Sequence, residues 1–218
     1  MHSSGRDDSI TNIPPENKHA VLQSVHSLMM QCTACPLRQN SIQVVPGVGP
    51  ADAKVMIVGE APGADEDQAG IPFSGRAGKL LTQLIQQAGY DRASVFVTNI
   101  VHCRPLKNKD PEPSEIQQCW RFLYNQILII RPKVIITVGR ISTEYILSMF
   151  SPGFDAKAFR ITKDHGRMYT ANIAEHNYMF RLMPIMHTAY LLRGQKQTEI
   201  NQTRNELASA FAYANNAP

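Results

Sequence analysis

The 218-residue sequence lacks any run of 18 or more apolar residues, so no membrane-spanning helix is expected. Residues 1–14 are polar and charged without an apolar centre, which argues against a secretory leader and makes the cytoplasm the expected location. Neither G-x-G-x-x-G nor G-x-x-x-x-G-K-[ST] occurs, so the usual cradles for dinucleotides and nucleoside triphosphates are missing. There is no internal repeat and no low-complexity segment. Cysteine is scarce: there are four in all, at positions 32, 35, 103 and 119.

What is there starts with those four. Cys32 and Cys35 enclose Thr33-Ala34, and fifteen residues of a basic, proline-containing stretch separate Cys103 from Cys119. Two disulfides would allow three connectivities, but disulfide frameworks belong to small secreted domains short of core, and a chain of this length buries an ample core. A redox dithiol would sit in a thioredoxin-like βαβ unit, whereas this CxxC precedes the first convincing strand. A bound metal centre uses all four thiols and is the most economical account. Zinc and a [4Fe–4S] cluster both accept four thiolates, and spacing alone leaves both open, although zinc ribbons more often carry two CxxC knuckles.

The net charge of +4 is modest, and the location of the cations says more than their sum. Arg104, Lys107 and Lys109 crowd the segment before Cys119, and Arg193 and Lys196 follow His187. Residues 1–16 read as a flexible N-terminal tail and 17–218 as a single domain. Apolar residues recur on one helical face over 19–30, 77–88, 114–130, 141–150 and about 198–213. Short apolar runs at 54–60, 95–101, 134–139 and 181–186 read as strands buried on both faces. The alternation predicts an α/β fold: three layers, with helices on both sides of a mainly parallel four-stranded sheet. Residues 151–180 carry no clear pattern and are expected to form a loop or hairpin insertion.

Three polar residues fall where strands should end: Glu60, Asn99 and His187. In open α/β sheets the ligand crevice lies outside the carboxyl ends of the strands, so separate segments converge on one expected pocket. The turn Gly59-Glu60-Ala61-Pro62-Gly63 permits close backbone approach to a ligand, although a Gly–Pro turn after a strand is commonly just a turn. Asp65, Glu66 and Asp67 suit the first turn of a helix through the macrodipole. Phe73, in the Pro/Gly-bounded loop 71–76, reads as core or as a ring for stacking on a base. His187, followed by Leu191, Leu192 and Arg193, suits a donor to a developing anion beside a wedge for a nucleic-acid groove.

Taken in order, Cys32–Cys35, GEAPG at 59–63, PFSGRAG at 72–78, TNIVHCRP at 98–105, Cys119 and His187 with Leu191-Leu192-Arg193 resemble the family 4 uracil-DNA glycosylases. The resemblance runs from about residue 28 to 194 and leaves out both ends. It implies a [4Fe–4S] cluster on Cys32, Cys35, Cys103 and Cys119, and release of uracil from single- or double-stranded DNA to leave an abasic site. It implies that Gly59, Glu60 and Ala61 run along the uracil, that Phe73 stacks on it and that Asn99 reads its polar edge. His187 would bond the uracil carbonyl, with Glu60, Glu66 and Asn108 as further catalytic candidates. Leu191, Leu192, Arg193 and Arg104 would contact DNA. A monomer suffices for this.

The sequence departs from the family pattern in three places. The usual His-Pro reads His187-Thr188, the 150–180 stretch is longer, and Ala61 stands where the best-known glycosylases carry a water-activating aspartate. One rival is a homologue that traps uracil-DNA without turnover, but it would need an inserted basic loop that 101–119 lacks. The other is an electron-transfer protein, which would have no use for a base pocket.

Overall fold

The computed structural model describes residues 13–194 and 196–217. Five strands form one sheet: β1 (Val55–Gly59), β2 (Phe96–Asn99), β3 (Val134–Val138), β4 (Tyr169–Ile173) and β5 (Tyr178–Ile185), in the order β2-β1-β3-β5-β4. The first four in that order are parallel, and β4 runs antiparallel at the edge. Every residue of β1, β2 and β3 is buried, because helices cover both faces, and this is why they read as mainly apolar runs, broken only by Thr98 and Asn99 in β2 and Thr137 in β3.

The α/β layering matches expectation, but the sheet has five strands rather than four. The fifth comes from the stretch without a pattern. In β4 only Ala171 and Ile173 are fully buried while Thr170 and Asn172 face out, so a five-residue edge strand offers just two core positions to recognise. It also extends β5 back to Tyr178, through the pairs Ile173–Tyr178 and Ala171–Phe180.

Nine helices are described: α1 (Lys18–Met30), α2 (Leu37–Asn40), α3 (Ala64–Ala69), α4 (Arg76–Gln87), α5 (Pro113–Ile130), α6 (Arg140–Phe150), α7 (Ile161–Asp164), α8 (Thr188–Leu191) and α9 (Gln197–Asn216). α1 turns Leu22, Val25 and Met29 toward α5, which presents Leu123 and Ile127 over one sheet face. α4 and α9 cover the other, burying Leu81, Leu84, Ile85, Leu207 and Phe211. Each such side chain contributes about 1.5–3 kcal/mol by leaving water. α5 starts sharply because Pro113 suits the first turn and Glu115 accepts the Glu112 amide at 2.8 Å.

The tail expected at 1–16 lies mostly outside the described residues; Pro15–Asn17 form a 3-10 turn into α1. Among the described residues no helix is long and apolar enough to cross a membrane.

Candidate active site

With β2 on one side of β1 and β3 on the other, the strand order reverses at β1 and opens a crevice at the carboxyl ends. A cleft of about 480 Å³ lies there, lined among others by Glu60, Phe73, Asn99, Asn108, His187 and Arg193. The three strand-end residues and the Phe73 loop therefore meet at one place.

The floor is built on Gly59, which pairs with Asn99 across β1 and β2. A Cβ at Gly59 would run into the Asn99 side-chain oxygen and come within 2.6 Å of the Phe73 ring. The glycine is thus required by close approach, and it lets an amide and an aromatic ring face the same space. Ala61 lines the cleft beside Glu60.

Glu66 also lines the cleft, but both of its oxygens are engaged. One accepts the Gly63 amide at 3.0 Å and the other the Gly75 amide at 2.8 Å, so the carboxylate braces the loop after β1 against the loop that carries Phe73. Its neighbour Asp67 is buried and accepts the Ile42 amide at 2.9 Å and the Gln43 amide at 3.3 Å. In the sequence Asp67 reads only as a helix-start acid, because its partners lie 25 and 24 residues away.

Glu60 is half-buried. Burial, and next the Asp110 carboxylate, push its pKa up to about 7, against a smaller opposing effect of Arg140. Arg140 itself reaches Asp110 at 3.6 Å and Glu144 at 2.8 Å.

In the loop after β2, Lys107 and Asn108 are consecutive left-handed residues, with φ of 56° and 53°. Arg104 Nε donates to the Asn108 side-chain oxygen at 2.8 Å. Arg104 thus supports this turn, and Lys109 lines the cleft.

His187 caps α8. Its Nδ1 accepts the Ala189 amide at 3.1 Å, which assigns the proton of the neutral ring to Nε2. Burial, and then the Arg193 charge, hold its pKa below the usual imidazole value, so the ring stays neutral near pH 7. The site thus offers an N–H donor without a positive charge. Thr188 begins α8 in place of the expected proline, and the cap fixes the histidine without the ring constraint. Leu191 is 1% exposed and packs into the core, whereas Leu192 is 39% exposed. Of the two leucines expected to meet DNA, only Leu192 is available in this conformation. Arg193 stands on the cleft rim.

The four cysteines lie on another side of the same connection. Cys32 and Cys35 precede α2, Cys103 follows β2 and Cys119 sits in α5, and all four line one cavity of about 20 Å³ together with Met29, His102 and others. None is in a disulfide. Burial raises the thiol pKa of Cys35 and Cys103 and pushes that of Cys119 up to about 12; the nearby sulfurs oppose a second negative charge. Arg121 donates to Cys32 Sγ at 3.6 Å. Among the described residues no group of three or more His, Cys, Asp or Glu is disposed to hold a metal ion. Four unpaired soft donors around one apolar cavity nevertheless fit an iron–sulfur group, whose iron would offset the cost of ionising them. His102, fully buried beside Phe122, was not singled out as part of this wall by the sequence; burial pushes its pKa down to about 4.

Residues 46–211 match the uracil DNA glycosylase superfamily. A type-4 uracil-DNA glycosylase of Sulfurisphaera tokodaii is 44% identical over 78% of this chain and 76% of its own. One from Thermotoga maritima is 38% identical over 82% and 86%. A type-5 uracil-DNA glycosylase of Thermus thermophilus is 34% identical over 57% of this chain and 62% of its own.

Proposed function

The chain belongs to the type-4 branch of the uracil-DNA glycosylase superfamily and excises uracil in DNA repair as an N-glycosyl hydrolase, and we propose that Phe73, Asn99 and His187 hold and release the base. The observation that carries this reading is the convergence of a ring, a buried amide and a neutral N–H donor on one cleft.

The target nucleotide must leave the base stack, at a cost of a few kcal/mol. Leu192 fills the vacated space, while Arg193 and Lys109, which both line the cleft, hold the flanking phosphates. Uracil stacks on Phe73, and Asn99 offers its edge both a donor and an acceptor, which favours uracil over cytosine. As the C1′–N1 bond breaks, its electron pair passes to N1 and the charge spreads to the carbonyl oxygen. The Nε2 proton of His187 bonds that oxygen, and the Glu60 and Ala61 backbone runs alongside. One preorganised donor of this kind is worth about 3–4 kcal/mol. Water adds to C1′, and Glu60, titrating near neutrality, is the group placed to take its proton. Glu66 and Asn108 act by holding the loops that line the cleft rather than by touching the reacting atoms.

Cys32, Cys35, Cys103 and Cys119 would hold a [4Fe–4S] cluster, which supplies cross-linking rather than a step of the reaction. The protein works as a monomer in the cytoplasm, with residues 17–218 as its single domain. The test is uracil release from single- and double-stranded uracil-containing DNA by the iron-loaded protein and by His187→Ala, each with a visible spectrum. Absence of release by the iron-loaded wild type sinks the reading.

A further inference from the structure

Phe73 carries φ of 56°, a left-handed backbone that an aromatic residue adopts only when its surroundings impose it. Three features impose it here. The first turn of α4 comes so close that a Cβ at Gly78 would overlap the carbonyl oxygen and carbon of Phe73 and lie 2.5 Å from its Cα. On the far side, the ring rests against Gly59, and the Glu66 bond to the Gly75 amide fixes the exit of the loop.

We propose that Gly78 is the positioning residue of the aromatic platform. Its missing side chain seats the Phe73 backbone on α4, and this sets the height of the ring in the cleft. The proposal rests on the reading of that cleft as the uracil pocket.

A methyl group at position 78 needs about 3.5–4 Å to its neighbours, so something must move by about 1 Å or more. α4 is held by Leu81, Leu84 and Ile85, all buried in the core. The loop is less firmly held, with Ile71 half exposed. The loop therefore yields, and Phe73 moves with it. A displacement of about 1 Å at a positioning group costs on the order of 100-fold in rate.

The experiment compares wild type, Gly78→Ala, Phe73→Ala and the double variant in single-turnover uracil release, in inhibition by free uracil and in affinity for abasic DNA. Gly78→Ala is expected to slow release about 100-fold and to weaken inhibition by free uracil as Phe73→Ala does, with abasic-DNA affinity unchanged. The double variant should match Phe73→Ala, because the methyl acts through the ring. A wild-type rate in Gly78→Ala, or a loss that adds in full to that of Phe73→Ala, overturns the proposal. If Gly78→Ala does not fold, Phe73→Gly/Gly78→Ala decides, since glycine frees the loop: recovery of folded protein supports the seat and no recovery overturns it. A wild type that releases no uracil refutes the reading of the cleft instead. The seat is then judged from a crystal structure of Gly78→Ala, where an unmoved Phe73 overturns it.

Discussion

The cleft at the strand ends and the cavity among the thiols are lined by the same stretch of chain, yet they are built on opposite terms. Asn99, Pro105, Asn108 and Lys109 face the cleft, while His102, Cys103 and Cys119 face the thiols. The cleft measures about 480 Å³ and is shaped by backbone held in left-handed turns at Phe73, Lys107 and Asn108. The thiol cavity measures about 20 Å³ and is lined by Met29, Leu37 and Phe122 besides the sulfurs. One is made to admit and release a ligand, and the other to stay shut. Their shared connection suggests how shape is maintained in the first: strained turns persist only where the surroundings over-determine them. The proposed cluster, by locking residues 99–119 at the thiols, would supply that constraint.

Cutting the lock should have the largest effect. Cys119→Ala is expected to lose the brown colour and the bound iron and sulfide, and with them uracil release and part of the thermal stability. Iron analysis, a melt and a glycosylase assay on one preparation decide the matter. A colourless variant with full activity would show that the two cavities are independent.

His187→Ala should separate them from the other side. Removing the donor is expected to lower kcat by about 10²–10³-fold, the usual loss for one such group, while the colour stays at its wild-type value and stability falls only by the loss of one helix cap, about 0.5–2 kcal/mol. A parallel loss of iron would mean that the cleft supports the cysteines, and not the reverse.

The same contrast marks what the sequence made legible. β1 is an unbroken apolar run and β3 is interrupted only by Thr137, because both faces are covered, and the strand-end rule then brings Glu60, Asn99 and His187 together from the sequence alone. The grouping of the four cysteines was legible because they are so few. Features that depend on a distant partner were not. Glu66 reads as a helix-start acid, or by resemblance as a catalytic candidate, and its bracing of the loop shows only with the Gly75 amide in place. β4 alternates over too few residues to declare itself. The phase of α8, which turns Leu191 inward and Leu192 outward, is set by the cap at His187 and by packing, and a four-residue helix has no periodicity to read.

That phase gives the next test. Leu191→Ala leaves a hole in the core and should destabilise the fold by about 2–5 kcal/mol. Leu192→Ala should leave the melt unchanged and slow release from double-stranded DNA more than from single-stranded DNA, where no stacked base needs displacing. Equal effects of the two variants on stability would place both leucines in the core and leave the cleft without a wedge.

The smallest effect is a shift in pH dependence, and it isolates the electrostatics of the cleft from those of the thiols. Burial raises the folded-state pKa of Glu60 from 4.5 to about 7, so between those values the folded protein binds more protons than the unfolded chain. Its contribution to stability is therefore present at low pH and is lost as pH rises from about 4.5 through about 7. Activity runs the other way, because only the carboxylate accepts a proton from water: uracil release should climb through pH of about 7. Glu60→Gln should remove that inflection and leave only the fall at lower pH, where His187 takes up a proton and loses the Ala189 bond to its Nδ1. Arg140→Gln, which takes away the one opposing cation, should move the inflection to higher pH without abolishing it. An inflection that survives in Glu60→Gln would assign it to another group and remove Glu60 as the acceptor of the water proton.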